Sequence, residues 1–416
     1  MKQRHTFLQL LTVVLAAAII APAASADDKG DNAKSLAELP HWPVGFKLNP
    51  ETYKGWKHEK RMKARRQAHV LVWTPPGVKK VRAVFLIPNN TDSKHVGEHE
   101  AVRKIAKKHH VGIVYLRSFD GKIIERTNPP KDANQGFADV LKQVAEHTGV
   151  ETYRWAPWIT FGKSSRGRFP FRTTWWFPKR VISSISYHAE TPSWPMKDWS
   201  KVKDESVLHV AINGQDEWSG TWYRHVRPSL LNYHHNTDWL GHQVVLHGVG
   251  HGNYVNAHGS KGWGKPVPEG KMSVLRVWDY IALHIDKAME LRVPKDTYAT
   301  AKKPVELKHV DRSKGILIHP RAPEELLDMK WMAFRLKDKK YQIIPWPDEK
   351  HPVLDTTQGS IDKKLLMQWA SEVPKDKRAD YLWVADHEQA TAWLKLHNIQ
   401  DMENVLPKKK DADSKK

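Results

Sequence analysis

The sequence predicts an α/β fold: a mostly parallel sheet with helices on both faces, followed by a small C-terminal α+β appendage. Three observations lead there. Between Ala68 and Met289, short apolar runs bounded by turn residues alternate with longer stretches whose apolar positions repeat at helical spacing. Strands separated by helices of that length pair in parallel. In the middle of the alternation, Trp158-Ile159-Thr160-Phe161-Gly162-Lys163-Ser164-Ser165-Arg166-Gly167 runs apolar residues into a glycine and a serine pair, then into a segment able to turn helical. Past Val293-Pro294 the rhythm changes to short strands and a hairpin pattern.

Before the sheet, residues 1–26 read as a secretory signal. Lys2 and Arg4 precede an apolar run from Phe7 to Ile20, and Ala24-Ser25-Ala26 offers a small-x-small cleavage site before Asp27. The apolar run is short for a membrane anchor, and no other segment could span a bilayer. The expected address is therefore periplasmic or secreted. The chain of 416 residues has no cysteine, so neither a disulfide, a lipoprotein anchor nor a cysteine nucleophile is available. A formal charge of +21 attracts polyanions, which for an exported chain means acidic polysaccharide or lipid headgroups, or serves solubility alone. No nucleic-acid recognition motif is present. The nineteen tryptophans fit a core better than a carbohydrate-binding face.

Residues 27–67 are polar and basic, with the positive run Lys57 to Arg66, and read as a lead-in. Val70 to Trp73 and Val81 to Ile87 are strands, the second ended by Pro88 and two asparagines. A helix over Glu98 to Lys108 turns Val102, Ile105 and Ala106 inward; the strand Val111 to Leu116 follows, then a helix over Gln135 to His147 with one apolar face. Strands are expected at Val181 to Tyr187, Val207 to Ile212 and Gln243 to Leu246, and a long helix at Met272 to Met289. These elements make one domain over 68–295. Two stretches break the pattern, Thr191 to Val202 and Trp218 to Leu240. Both follow strand carboxyl ends, where open α/β sheets bind ligands, and both are rich in Trp, Pro and His, so they are expected to wall a pocket. Trp218 and Trp239 are the expected substrate contacts, and His234-His235 the wall or its rim.

The appendage spans 300–407. Gly315 to Ile318 is its first strand, and Met332, Phe334, Leu336, Tyr341 and Ile343 alternate across a turn as a hairpin. Ser360 to Trp369 and Glu388 to His397 read as helices around the strand Tyr381 to Val384. Residues 408–416 form a charged tail with a disordered composition.

A serine hydrolase needs a nucleophile, a base and an acid to orient the base. The sequence supplies candidates in that topology's chain order, each after its own strand: Ser164 after Ile159 to Phe161, Asp216 and Glu217 after Val207 to Ile212, and His251 after Val244 to Leu246. On these residues the stretch 68–290 resembles the α/β-hydrolase superfamily, in its exported esterase, dienelactone-hydrolase and polyhydroxyalkanoate-depolymerase-like branches. Gly162-Lys163-Ser164-Ser165 is similar to the start of the family's G-x-S-x-G, Asn213-Gly214-Gln215-Asp216-Glu217 to its acid loop, and Gly250-His251-Gly252 to its histidine loop. The resemblance implies Ser164 as nucleophile, His251 as general base and either Asp216 or Glu217 as acid. The oxyanion donors it implies are the backbone N–H of Ser165 and one from Asn89 or Asn90.

The pattern departs from the family where its second glycine is replaced by Arg166. Taking Ser165 as nucleophile restores glycine at Gly167 but puts Lys163 at the first position; because Gly162 directly ends the strand, Ser164 is preferred. Pro170 then falls in the following helix, where an interior proline costs about 3 kcal/mol, so a kinked or delayed helix is expected. Lys163 and Arg166 are either surface residues of a degenerate elbow or a positive flank that favours an anionic substrate.

The expected activity is hydrolysis of an acyl or carbohydrate ester through an acyl-enzyme, with no cofactor and no metal. The alternative is a decayed hydrolase scaffold that binds acidic polysaccharide through a basic, Trp-rich surface. Two metal patterns carry less: His95-Val96-Gly97-Glu98-His99 has the H-x-x-E-H spacing without a third ligand, and His247, His251 and His258 lack an acidic partner. Gly162-Lys163-Ser164 lacks the upstream glycine of a phosphate-binding loop.

Overall fold

The computed structural model describes residues 41–53, 69–90, 93–117, 133–189, 199–214, 222–246, 249, 251, 274–326, 333–335, 341–343 and 361–409. The expected leader at 1–26, and the tail beyond 409, lie outside them. Eight strands form one sheet: β1 (Val44–Lys47), β2 (His69–Trp73), β3 (Ala83–Pro88), β4 (Val111–Arg117), β5 (Trp158–Lys163), β6 (Val181–Tyr187), β7 (Leu208–Gly214) and β8 (Leu240–Leu246). Their order is β1-β2-β4-β3-β5-β6-β7-β8. β1 is antiparallel to β2 and β2 to β4, and every later pairing is parallel. This is the α/β-hydrolase fold. Strands β3 and β5 to β8 are buried at every position, as a sheet covered on both faces requires.

The covering helices are α1 (Ser93–Glu98), α2 (Glu100–His109), α3 (Ala133–Thr148), α4 (Arg168–Trp176), α5 (Arg227–Asn236) and α6 (Val274–Arg292). α2 packs on α6, where Lys108 reaches Asp286 at 2.7 Å and Glu290 at 2.8 Å. No helix among the described residues is long and apolar enough to cross a membrane.

Two expectations about this domain change. The lead-in is not wholly outside the sheet, because Trp42 is fully buried and residues 44–47 supply the edge strand β1. Of the two stretches expected to wall a pocket, 191–198 and 218–221 lie outside the described residues, while Trp222–Val226 forms a π turn that continues into α5, with Leu230, Leu231, Tyr233 and His234 buried. Polar residues at its inward positions hid the helical period. Tryptophans elsewhere follow the core reading, for Trp158, Trp222, Trp278 and Trp393 are all buried and no described tryptophan is exposed.

In the appendage, β9 (Ile316–Ile318) lies between β12 (Met367–Trp369) and β13 (Leu382–Val384), both antiparallel to it. The helix expected over Ser360 to Trp369 is instead a single turn at Lys363–Leu365 followed by β12, since the exposed flank of β9 takes a strand partner. The hairpin is present as β10 (Ala333–Arg335) and β11 (Tyr341–Ile343), and two further helices are α7 (Ala322–Leu326) and α8 (His387–Leu396). Asp386 caps α8 by accepting from the Gln389 N–H at 2.9 Å.

The appendage closes one end of the large sheet. As an edge strand, β8 exposes its alternate backbone groups, which would otherwise template pairing with another chain. Side chains occupy them here: Gly241 N–H donates to His234 Nε2 at 2.8 Å, Trp393 Nε1–H to the Gln243 carbonyl at 2.7 Å, and Val245 N–H to His397 Nε2 at 3.1 Å. Two of those three come from α8 and the residue after it. Arg227 pairs with Glu324 at 2.7 Å and Lys287 with Asp386 at 2.7 Å across the same boundary.

Candidate active site

β5 ends at Lys163, and the chain turns through a single 3-10 turn, Ser164–Arg166, into α4. Ser164 has φ of 51°, a left-handed conformation that costs a non-glycine residue about 1–3 kcal/mol and persists only where the surroundings enforce it. They do so here. A Cβ on Gly162 would lie 2.2 Å from the Arg166 carbonyl oxygen, and one on Gly167 would lie 1.7 Å from the Ala189 Cβ. The Gly167 N–H donates to the Ser164 carbonyl at 2.8 Å. The turn therefore needs glycine before the serine and again at 167, one place later than in G-x-S-x-G. Arg166 is not among the residues with positive φ, and it is its carbonyl that a Cβ on Gly162 would meet first.

Pro170 is also accommodated. The 3-10 turn delays α4 to Arg168, which puts Pro170 at the third helical position, where no intrahelical partner awaits an N–H. Both residues that suggested a decayed scaffold thus fit an intact elbow.

The hydroxyl at the elbow meets the expected base. Ser164 Oγ lies 2.8 Å from His251 Nε2, and the pair is partly buried. Asp216, Glu217 and Trp218 lie outside the described residues, as do His247 and His258. β7 ends at Gly214 on the same carboxyl rim as the elbow, with β6 between it and β5.

Of the expected oxyanion donors, Ser165 sits exposed in the 3-10 turn. Asn89 is spent, because its N–H donates to the Leu116 carbonyl at 3.1 Å and its side-chain oxygen accepts from the Tyr115 hydroxyl. Asn90 reaches the elbow directly: its Nδ2 donates to the Lys163 carbonyl, tying the loop after β3 to the end of β5.

Burial bears on three substrate-contact expectations and changes two of them. Lys163 is only 4% exposed, with its ammonium 5.6 Å from the centre of the Tyr187 ring, so it is not an open positive flank. Arg166 is half-buried on the turn. Trp239 is fully buried just before β8, at the sheet end opposite the elbow, and packs on His209 and Tyr233. His234 is buried and committed to the β8 edge, while His235 pairs with Asp380 at 3.0 Å on the surface. The two histidines of H-x-x-E-H also go to separate carboxylates. His95 pairs with Glu98 at 2.9 Å, Trp42 donates to the same carboxylate at 2.7 Å, and His99 meets Asp279 at 2.7 Å.

One residue at the rim was missed. His188, directly after β6, is 1% exposed with φ of 47°, and its ring stands 5.8 Å from that of His251 at 75°. The strand-end position that singled out the other candidates applied to it equally.

No protein-family model matches this chain, and no curated protein sequence matches it. Among solved structures it is similar to a dienelactone hydrolase-like promiscuous phosphotriesterase, P91, from metagenomic libraries, at 9% identity over 59% of this chain and 98% of the other, with a TM-score of 0.37. It is similar to an α/β hydrolase, MGS-M1, from a Medee basin deep-sea metagenome at 11% identity, 60% and 98% coverage and a TM-score of 0.38. Est1E from Butyrivibrio proteoclasticus aligns at 7% identity, 54% and 93% coverage and a TM-score of 0.33.

Proposed function

We propose that this α/β-hydrolase-fold protein is an exported serine hydrolase that cleaves carboxylic esters, of acyl or carbohydrate type. The observation that carries the reading is a serine hydroxyl in a left-handed strand-to-helix turn, 2.8 Å from a histidine nitrogen contributed by a residue far away in the chain. Export rests on the leader-like residues 1–26 alone.

In this reading the Ser164 hydroxyl donates to His251 Nε2. As Oγ attacks the ester carbonyl carbon, Nε2 takes its proton, and the carbonyl oxygen becomes an oxyanion held by the N–H groups of Ser165 and Asn90. The tetrahedral species collapses as His251 returns the proton to the departing alkoxide, leaving an acyl group on Ser164. Water, deprotonated by the same nitrogen, then releases the acid and restores the serine. Asp216 or Glu217 is the proposed partner of His251 Nδ1.

The test is labelling of the purified protein with a fluorophosphonate, together with turnover of p-nitrophenyl esters. Both are expected for the wild type and neither for Ser164→Ala. Labelling that survives Ser164→Ala would remove the assignment.

A further inference from the structure

We propose that His188 is a positioning residue for the general base: its ring, held edge-on against His251, keeps the imidazole turned so that Nε2 faces Ser164. The proposal rests on the serine-hydrolase reading and adds to it a residue outside the expected triad.

The placement is the first argument. Parallel strands of this sheet deliver their functional groups at carboxyl ends, and His188 leaves β6 between the elbow after β5 and the acid loop after β7. Backbone conformation is the second. Of the described non-glycine residues with positive φ, His110 ends a helix, Asp296 and Asn398 lie in turns after helices, and only Ser164 and His188 stand at the rim. Strain of this kind marks functional sites when the surroundings over-determine it.

The surroundings of His188 do that from three directions. Its N–H donates to the Ile212 carbonyl of β7 at 2.7 Å, and the next carbonyl, on Ala189, accepts from Asn213 Nδ2 at 3.2 Å. Ala189 itself presses against Gly167 below the elbow. The segment that carries the His188 ring is thus packed on the same turn that carries the nucleophile.

The third argument is the ring stack. Trp278 of α6 lies 5.1 Å from Tyr187, Tyr187 lies 4.5 Å from His188 at 69°, and His188 lies 5.8 Å from His251 at 75°. Edge-to-face pairs at such distances are favourable, by about 0.5–1.5 kcal/mol beyond their burial. His251 needs such a wall. It follows β8 by several residues and lies in no helix or strand, so its orientation must come from what its ring touches. A row of buried rings anchored on α6 gives a rigid backstop; a solvent-exposed loop would not.

Three variants separate positioning from plain stability. His188→Phe keeps a ring edge at the same place, His188→Ala removes it, and His188→Gly removes it while relieving the left-handed backbone. Each is measured for kcat and KM on a p-nitrophenyl ester, for fluorophosphonate labelling rate, and for Tm. A small misplacement of a catalytic group costs up to about 100-fold in rate. We therefore expect kcat to fall about 10- to 100-fold in the Ala and Gly variants with KM little changed. Phe should recover most of the rate, and Gly should recover the Tm lost in Ala but not the rate.

The proposal is overturned if Gly recovers rate together with Tm, if Phe is as slow as Ala, or if every variant turns over like the wild type. Should Ala not fold, Gly and Phe carry the test. A wild type that never labels at Ser164 would sink the hydrolase reading itself; a wild type that labels, beside variants of unchanged kcat, would sink only the role of His188.

Discussion

At the carboxyl rim of the sheet, Ser164 Oγ lies 2.8 Å from His251 Nε2. In the core between β6 and α6, Ser183 Oγ lies 2.8 Å from His284 Nε2. Equal lengths do not mean equal roles: in the proposed mechanism Ser164 donates, whereas the second pair runs the other way. Gln389 Nε2–H donates to His284 Nδ1 at 3.2 Å, and the amide cannot reverse because its oxygen accepts from the Ala385 N–H at 2.9 Å. His284 therefore carries its proton on Nε2 and donates it to Ser183, which leaves no base for that serine. Ser183 is also fully buried in mid-strand, whereas Ser164 stands at a strained turn that opens to the surface. A serine–histidine distance alone does not identify a nucleophile. The position in the sheet and the nitrogen left to accept decide it.

The largest expected effect separates the two serines. Ser164→Ala should lower turnover by about 10⁴-fold or more with Tm unchanged. Ser183→Ala should leave turnover as it is, and steady-state assays of both variants would break the comparison if the roles were exchanged.

The next largest effect concerns the histidines kept neutral in the core. Burial pushes His209, His234 and His284 down to about 3 and His397 to about 4, with His242 also well below its ordinary value. Once the pH drops under about 6.5, the unfolded chain takes up protons that the folded chain refuses. Stability is thus complete above that pH and falls toward pH 4, by up to about 1.4 kcal/mol per histidine for each pH unit. Urea unfolding at pH 7 and pH 5 reads this directly, and equal midpoints would show that these rings are not held neutral.

Smaller effects follow at single hydrogen bonds. Ser183→Ala leaves the His284 Nε2–H without an acceptor, and His397→Phe does the same to the Val245 N–H on the β8 edge. Each should cost about 1–3 kcal/mol, visible as a lowered denaturation midpoint. Arg166→Gly should be the mildest, within about 0.5 kcal/mol of wild type and with turnover retained, because the turn needs glycine at 167 and not at 166. A large gain in activity from Arg166→Gly would show that the arginine strains the elbow after all.

Much of the fold was legible in residue order because its causes are local. Apolar runs between turn residues mark β3 to β8, and the helical repeat of Val102, Ala106, Val140, Leu141 and Val144 marks α2 and α3. The chain order of Ser164 and His251, each after its own strand, was legible for the same reason. Elements whose form depends on a distant partner were not. β12 takes its strand form from β9, and α5 carries polar residues on its buried face because His234 serves the β8 edge.

By itself, the sequence determined the strands β3 to β8, the helices α2, α3 and α6, and which serine and histidine follow strand ends, since backbone preference and apolar spacing act over a few residues. Only the tertiary structure decided that Gly167 rather than residue 166 must be bare, that Asn89 is spent in the sheet, that Lys163 and Trp239 are buried, and that His188 stands against His251. Those outcomes depend on atoms brought together from far along the chain, where close contact and the competition for each hydrogen-bonding group are settled only once the sheet has assembled.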